Sequence, residues 1–175
     1  MSQPTLVEVF SAEQIADRVA ALAGQISADY TGKNLVMVCI LKGAFMFFAD
    51  LTRRVTCKPE VDFIRVASYG NKDSSCGTVK LVKDTEIDLR DRDVLLVEDI
   101  VDSGLTMRFL VNEFQRRQVK SLRIAALIDK FERREADLTV NYPGFTLNKG
   151  FLVGYGLDFA EKYRELPAVY AIHFE

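Results

Sequence analysis

Residues 35–41 and 94–97 are uninterrupted apolar runs, and 122–128 is apolar but for Arg123. Runs of this kind predict strands buried on both faces, as in a parallel sheet. Helical spacing lies between and beside them. Ser11-Ala12-Glu13-Gln14 reads as a capping box, and Ile15, Val19, Leu22 and Ile26 then mark one face. Residues 44–54 predict a second helix with an apolar start (Phe45, Met46, Phe47, Phe48), suited to burial or to a subunit interface. Met107, Leu110, Val111 and Phe114 predict a third. Residues 61–68 alternate, with Val61, Phe63 and less clearly Val66 set against polar partners, and 78–82 reads as the returning strand. Short strands are predicted at 151–155 and 168–174, turns at 30–34 and at Tyr142-Pro143-Gly144, and a charged, solvated connection at 84–93. Strands alternating with helices predict an α/β fold with a mostly parallel central sheet flanked by helices.

Ligands of such folds sit outside the carboxyl ends of the strands. The run 94–97 is followed at once by Glu98 and Asp99, expected to diverge from the strand end because adjacent strand residues face opposite ways. Then come Asp102-Ser103-Gly104-Leu105-Thr106 and the third helix. A small loop before a helix N-terminus, with free N–H groups and the positive end of the dipole, suits a phosphate. Two acids beside it suit a divalent cation or sugar hydroxyls. An ordinary strand-to-helix turn with an Asp or Ser cap would also account for the loop taken alone. Lys42-Gly43 follows the run 35–41, and Asp129-Lys130 follows 122–128. Lys42, Glu98, Asp99, Asp102 and Lys130 thus fall at strand ends, which predicts one site of complementary charge. Residues 69–77, which collect Gly70, Asn71, Asp73, Ser74, Ser75 and Gly77, read as a solvated hairpin loop or as a lid.

Composition narrows the class. The 175 residues suit one domain spanning 1–175, with 49% hydrophobic and 27% charged residues, ordinary for a globular protein. A net charge of −2 gives no global pull toward nucleic acid or an anionic membrane. No apolar span is long enough for a transmembrane helix, and residues 1–10 lack the features of a signal peptide. Three cysteines without close spacing argue against a disulfide framework or a zinc site, and point to the reducing cytoplasm. His173 is the single histidine, which argues against a Ser-His-Asp triad or a multi-histidine metal site.

The segment Val-Leu-Leu-Val-Glu-Asp-Ile-Val-Asp-Ser-Gly-Leu-Thr at 94–106 resembles the 5-phosphoribosyl-1-pyrophosphate (PRPP) motif of the type I phosphoribosyltransferases. Its form, Glu98-Asp99 followed by Ile100-Val101-Asp102, is closest to the hypoxanthine-guanine phosphoribosyltransferases. Leu41-Lys42-Gly43 is similar to that family's pyrophosphate loop, in which the peptide before the lysine is often cis. Ser68-Tyr69-Gly70 is similar to its mobile loop, 151–158 to its base-binding segment, and Tyr163-Arg164 to its downstream arginine. The resemblance covers roughly Leu35 to Arg164, in the family's order.

The resemblance implies the type I fold with a small base-binding hood and a mobile hairpin loop. It implies purine salvage: hypoxanthine or guanine plus PRPP gives IMP or GMP and pyrophosphate, with Mg2+ as cofactor. Leu41, Lys42, Gly43 and Arg164 would contact pyrophosphate, and Asp102, Ser103, Gly104, Leu105 and Thr106 the 5′-phosphate. Leu105 stands where some relatives carry a lysine, so its side chain has no implied duty. Glu98 and Asp99 would face the ribose hydroxyls and the metal's water shell, and Asp158 would be a metal ligand beside the base. Asp102 would take the purine proton, Phe151 would stack on the base, Lys130 would donate to the C6 oxygen, and the Leu152 backbone would meet the Watson–Crick edge. Ser68 and Tyr69 would belong to the lid. A homodimer or homotetramer is implied as well. Two other classes stay open: a regulator on the same fold that binds RNA and nucleotide, which needs a basic face, and a flavodoxin-like phosphate- and metal-binding module. The second has no need for Lys42, Lys130 and Phe151 together.

Overall fold

The structure, a computed structural model, describes residues 4–69 and 78–174. In chain order the elements are β1 (Thr5–Phe10), α1 (Ala12–Asp29), β2 (Leu35–Leu41), α2 (Phe45–Arg54), β3 (Glu60–Tyr69), β4 (Thr78–Lys83), β5 (Asp93–Val101), α3 (Leu105–Arg116), β6 (Ser121–Lys130), β7 (Tyr142–Leu147), β8 (Leu152–Val153) and β9 (Val169–His173). Two sheets result. The larger has the order β4-β3-β2-β5-β6-β7, the smaller β1-β9-β8. Within the larger sheet β3, β2, β5, β6 and β7 run parallel, and β4 alone pairs antiparallel, at the edge.

The central strands are apolar throughout because both faces are covered. Met37, Cys39, Leu95, Val97, Ala125 and Leu127 pack under α1 and α2, with Ile15, Val19, Leu22 and Ile26 from the predicted helix face. Their neighbours Val36, Val38, Val94, Leu96, Ile124 and Ala126 pack on the other side against Met107, Leu110 and Phe114 of α3. The predicted capping box starts α1: Ser11 Oγ accepts the Gln14 N–H at 3.2 Å, and Gln14 Oε1 accepts the Ser11 N–H at 2.9 Å.

Four expectations need correction. Residues Tyr142-Pro143-Gly144 form no turn but open the edge strand β7, where Ala126 pairs with Pro143. An edge strand tolerates proline because one N–H is not needed for a ladder. Arg18 holds the segment, donating to the Pro143 and Gly144 carbonyls at 2.6 Å each. A Cβ on Gly144 would stand 2.3 Å from the Leu127 carbonyl oxygen, so the strand is seated there by glycine. Second, the alternation in β3 is inverted: Val61 and Phe63 are exposed, while Asp62 and Ile64 are buried. Asp62 is satisfied inside, accepting the N–H groups of Phe63, Glu86 and Ile87 at 2.7–2.9 Å. Third, 84–93 is not simply solvated, since Leu89 is buried and Ile87 packs on the α3-side core. Fourth, β5 does not end before its acids. It continues through Glu98 and Asp99 to Val101, paired with β6 up to Asp129. Ser68 and Tyr69 end β3, paired with Val79 and Thr78. The rest of the predicted lid, 70–77, lies outside the described residues.

The smaller sheet joins the two ends of the chain: β1 pairs with β9, and β9 with β8. It puts 151–174 beside the carboxyl ends of β2 and β5. The contact is close, since a Cβ on Gly156, at φ +99°, would lie 2.1 Å from the Gly43 carbonyl oxygen.

Candidate active site

The turn from β5 to α3 forms the floor of the site. A cavity of about 160 Å³ is lined by Glu98, Asp99, Asp102, Ser103, Gly104 and Thr106, with their neighbours in the same turn. Leu105, predicted with them, begins α3 and is not part of that lining. Gly104 has φ +78°, and a Cβ there would come within 2.8 Å of Leu138 and 3.1 Å of Ala136. The left-handed conformation and the tight seat both require glycine. Gly104 gives helix α3 no side-chain cap and its first turn holds no acidic residue; Ser103 Oγ, from the loop before it, accepts the Leu105 N–H at 3.3 Å, and the positive end of the helix dipole lies at the cavity.

Glu98 and Asp99 do not diverge electrostatically. Glu98 Oε1 folds back to accept the Asp99 N–H at 3.0 Å, and Asp99 Oδ1 accepts the Ile100 N–H at 2.7 Å. Burial pushes the Glu98 carboxyl well above the usual carboxylate range, and the nearby Asp99 adds to that rise. Burial raises Asp99 too. The Asp99 carboxylate fills the place a side chain at Gly43 would take, 1.5 Å from a Cβ built there. The predicted pyrophosphate loop and the acidic pair are therefore in contact. Two neighbouring acids pushed toward protonation, Glu98 buried and Asp99 half-buried, are short of positive charge, which is the chemistry of a cation subsite. Among the described residues no three acids, cysteines or histidines converge as a complete metal cage. A divalent ion would fit here only with much of its shell from substrate oxygens or water, as magnesium prefers.

Asp102 and Lys130 meet across the ends of β5 and β6. Lys130 is buried, and its Nζ lies 3.4 Å from Asp102 Oδ2. The other oxygen, Asp102 Oδ1, is buried and accepts no hydrogen bond from the described residues. An unpartnered buried acceptor is unusual and costly, and such atoms concentrate at functional sites.

The peptide Leu41-Lys42 is cis. Lys42 Nζ reaches Glu161 at 2.9 Å, and Arg164 reaches Asp158 at 2.7 Å and Glu161 at 3.3 Å. Arg164 also donates to the Gly156 carbonyl at 2.7 Å, and Asp158 Oδ2 accepts the Glu161 N–H at 2.8 Å. Leu41, Lys42, Gly43, Asp158 and Arg164 are thus gathered in one place. Phe151 is 53% exposed and meets Phe159 edge-on, and Phe159 leans on Phe174. Leu152 is buried in β8, paired with Ala171.

From the sequence the role of Arg134 stays open, and it is left out of the predicted site. Its guanidinium donates to the carbonyls of Val101, Asp102 and Lys130 at 2.8–3.1 Å and to the Asp129 carboxylate. The Glu135 and Ala136 N–H groups donate to the Ser103 carbonyl at 2.9 and 3.0 Å. One side chain thereby ties both strand ends and the loop that bears Asp102. The available signal was its place four residues after Lys130, too weak to stand alone. Arg134→Met should keep the stem, strand a buried carboxylate and lower stability by about 3–5 kcal/mol, the usual cost of breaking a buried pair. Denaturant unfolding checks it; a loss below about 1 kcal/mol would show the clamp to be dispensable.

This arrangement of phosphate loop, buried acids and two lysines on a mostly parallel sheet has known counterparts. Residues 7–160 match the family model described as a phosphoribosyl transferase domain. The chain is 42% identical over 161 residues to the hypoxanthine-guanine phosphoribosyltransferase of Bacillus subtilis, covering 92% of this chain and 89% of that one. It is 43% identical over 167 residues to the enzyme of that name from Mycobacterium tuberculosis, covering 92% and 83%. A crystal structure of a hypoxanthine-guanine phosphoribosyltransferase from Bacillus anthracis superposes with a TM-score of 0.90 at 41% identity, covering 97% and 99%. The chain belongs to the phosphoribosyltransferases, and within them to the hypoxanthine-guanine phosphoribosyltransferases of purine salvage. It is accordingly a transferase of the glycosyltransferase class.

Proposed function

We propose that this chain transfers the 5-phosphoribosyl group of PRPP to hypoxanthine or guanine, giving IMP or GMP and pyrophosphate. The observation that supports it best is the Asp102 carboxylate, partly exposed in the lining of the cavity, beside the buried Lys130 donor and in the turn that leads into α3. The 5′-phosphate would take the N–H groups and hydroxyls of Ser103, Gly104, Leu105 and Thr106, where backbone donors meet the helix dipole. Glu98 and Asp99 would accept from the ribose hydroxyls. Lys42 and Arg164 would hold the pyrophosphate group, with Leu41 and Gly43 shaping its loop. Phe151 would stack on the base, the Leu152 backbone would meet its Watson–Crick edge, and Lys130 would donate to its C6 oxygen. Asp102 would accept the imidazole proton as the other ring nitrogen attacks the ribose carbon. Ser68 and Tyr69 would start the lid that excludes water from the cation-like ribose.

Magnesium, the cofactor this family implies, would be held by Glu98, Asp99 and Asp158 together with substrate oxygens, and would neutralise the leaving pyrophosphate. Excess chelator should abolish turnover and added magnesium should restore it, followed as nucleotide formed per minute. Full activity in chelator would contradict this reading.

Residues 1–175 are read as one domain, because β1 and β9 from opposite ends of the chain pair with each other. The reading includes a homodimer or homotetramer. Exposed Phe45, Val61 and Phe63, with Phe48 against Phe63 at 5.5 Å, leave apolar area suited to self-association. It also includes the cytoplasm, in keeping with free Cys39 and Cys57. Among the described residues no helix is long and apolar enough to cross a membrane.

A further inference from the structure

We propose that Glu161 is a built-in competitor for the pyrophosphate subsite, its carboxylate occupying the two cations, Lys42 and Arg164, that must be vacated before pyrophosphate or the diphosphate arm of PRPP binds. This rests on the functional reading above, which assigns both cations to that group. The geometry is specific. One oxygen, Glu161 Oε2, takes Lys42 Nζ at 2.9 Å and Arg164 Nη2 at 3.3 Å. The cations come from separate parts of the chain, the β2–α2 loop and the segment after β8, and meet on this acceptor as they would on a phosphate oxygen, while the same Arg164 Nη2 also lies 2.7 Å from Asp158 Oδ1.

The backbone aims this carboxylate. Ala160, Glu161 and Tyr163 all have positive φ, at +52°, +64° and +76°. Such conformations cost energy in non-glycine residues and persist where the surroundings enforce them, often at functional sites. The enforcing contacts are the Glu161 N–H on Asp158 Oδ2 at 2.8 Å and the reciprocal Phe159–Lys162 backbone bonds at 3.1 Å. A strained turn thus delivers an acid to a subsite for an anion. Its side chain is 65% exposed, so the carboxylate can swing into water without rearranging the core. Two neighbouring cations would otherwise repel each other. Glu161 keeps them together, at the expense of affinity, until a group with more charge and more acceptors displaces it.

The test is equilibrium binding of pyrophosphate, with magnesium, to the wild type, Glu161→Gln and Lys42→Ala, alongside the kinetic constants. Exposed ion pairs are individually weak, so the gain should be modest: Glu161→Gln should bind pyrophosphate about three- to tenfold tighter. The KM for PRPP should fall in step while the KM for the base stays put, a split that general loosening of the turn would not give. Glu161→Asp, shorter but still charged, should lie between. Equal or weaker pyrophosphate binding by Glu161→Gln, with Lys42→Ala clearly weakened, would overturn the competitor role and leave the reading of the subsite standing. Pyrophosphate binding indifferent to Lys42→Ala would overturn both.

Discussion

Replacing Asp102 with asparagine should lower turnover by roughly 10²–10⁴-fold, the usual worth of general-base catalysis, with little change in PRPP binding. The substitution keeps the shape of the side chain and removes its basicity. Asp102 has what a base in this position needs. One oxygen lies 3.4 Å from Lys130, and the other is buried with no described donor. The side chain is about a third exposed, and its one partner among the described residues, Lys130, is distant at 3.4 Å, so taking a proton from a bound base would disrupt little hydrogen bonding. The backbone around it is already fixed, because Arg134 donates to the Asp102 carbonyl and the Ser103 carbonyl accepts two N–H groups. The amide should settle into the same loop, so a lost rate would report lost chemistry rather than lost structure. Single-turnover kinetics with saturating PRPP and base makes the measurement. An unaltered rate in Asp102→Asn would reduce the residue to a loop cap.

Adenine should be rejected by a factor on the order of 10⁴ relative to hypoxanthine or guanine, the range reached by sites built on polar complementarity. A 6-oxopurine offers an acceptor at C6 and a donor at N1, and adenine offers the reverse. The Lys130 ammonium can only donate, and a backbone carbonyl can only accept. Adenine would set donor against donor and acceptor against acceptor. Lys130 is buried, so water is poorly placed to relieve the mismatch. Lys130→Met roughly keeps the stem and removes the donor. It should lower kcat/KM for the 6-oxopurines while leaving PRPP binding near wild type. The specificity constants for each base, in wild type and variant, decide this. Comparable adenine and hypoxanthine values in the wild type would overturn the 6-oxopurine assignment without touching the phosphate site.

The parts of the molecule legible in the sequence are those where one residue's environment is set by its immediate neighbours. Continuous apolar runs mark β2 and the start of β5 because parallel strands are covered on both faces, and Ser11 and Gln14 start α1 through bonds three residues apart. The Asp102-to-Thr106 loop is legible for the same reason, since strand, small residues and helix are consecutive. What stayed hidden depends on partners far away in the chain. Strand β1 is half exposed and defined by pairing with β9, more than 150 residues on, which no local period records. Asp62 is buried because the connection after β4 donates two N–H groups to it, so alternation assigned the wrong face to Val61 and Phe63. Pro143-Gly144 carries a strong turn signal, overridden by an edge position and by Arg18 from α1. Arg134 and Glu161 look like ordinary surface charges until the fold sets them against the ends of β5 and β6 and against Lys42.

The central claim is the reaction itself, and one assay addresses it most directly. Purified protein is mixed with magnesium, PRPP and one base at a time, and the nucleotide product is separated and weighed by mass. IMP from hypoxanthine or GMP from guanine, with equimolar pyrophosphate and no AMP from adenine, is the predicted result. No nucleotide from either 6-oxopurine, in protein that still binds PRPP, would contradict it.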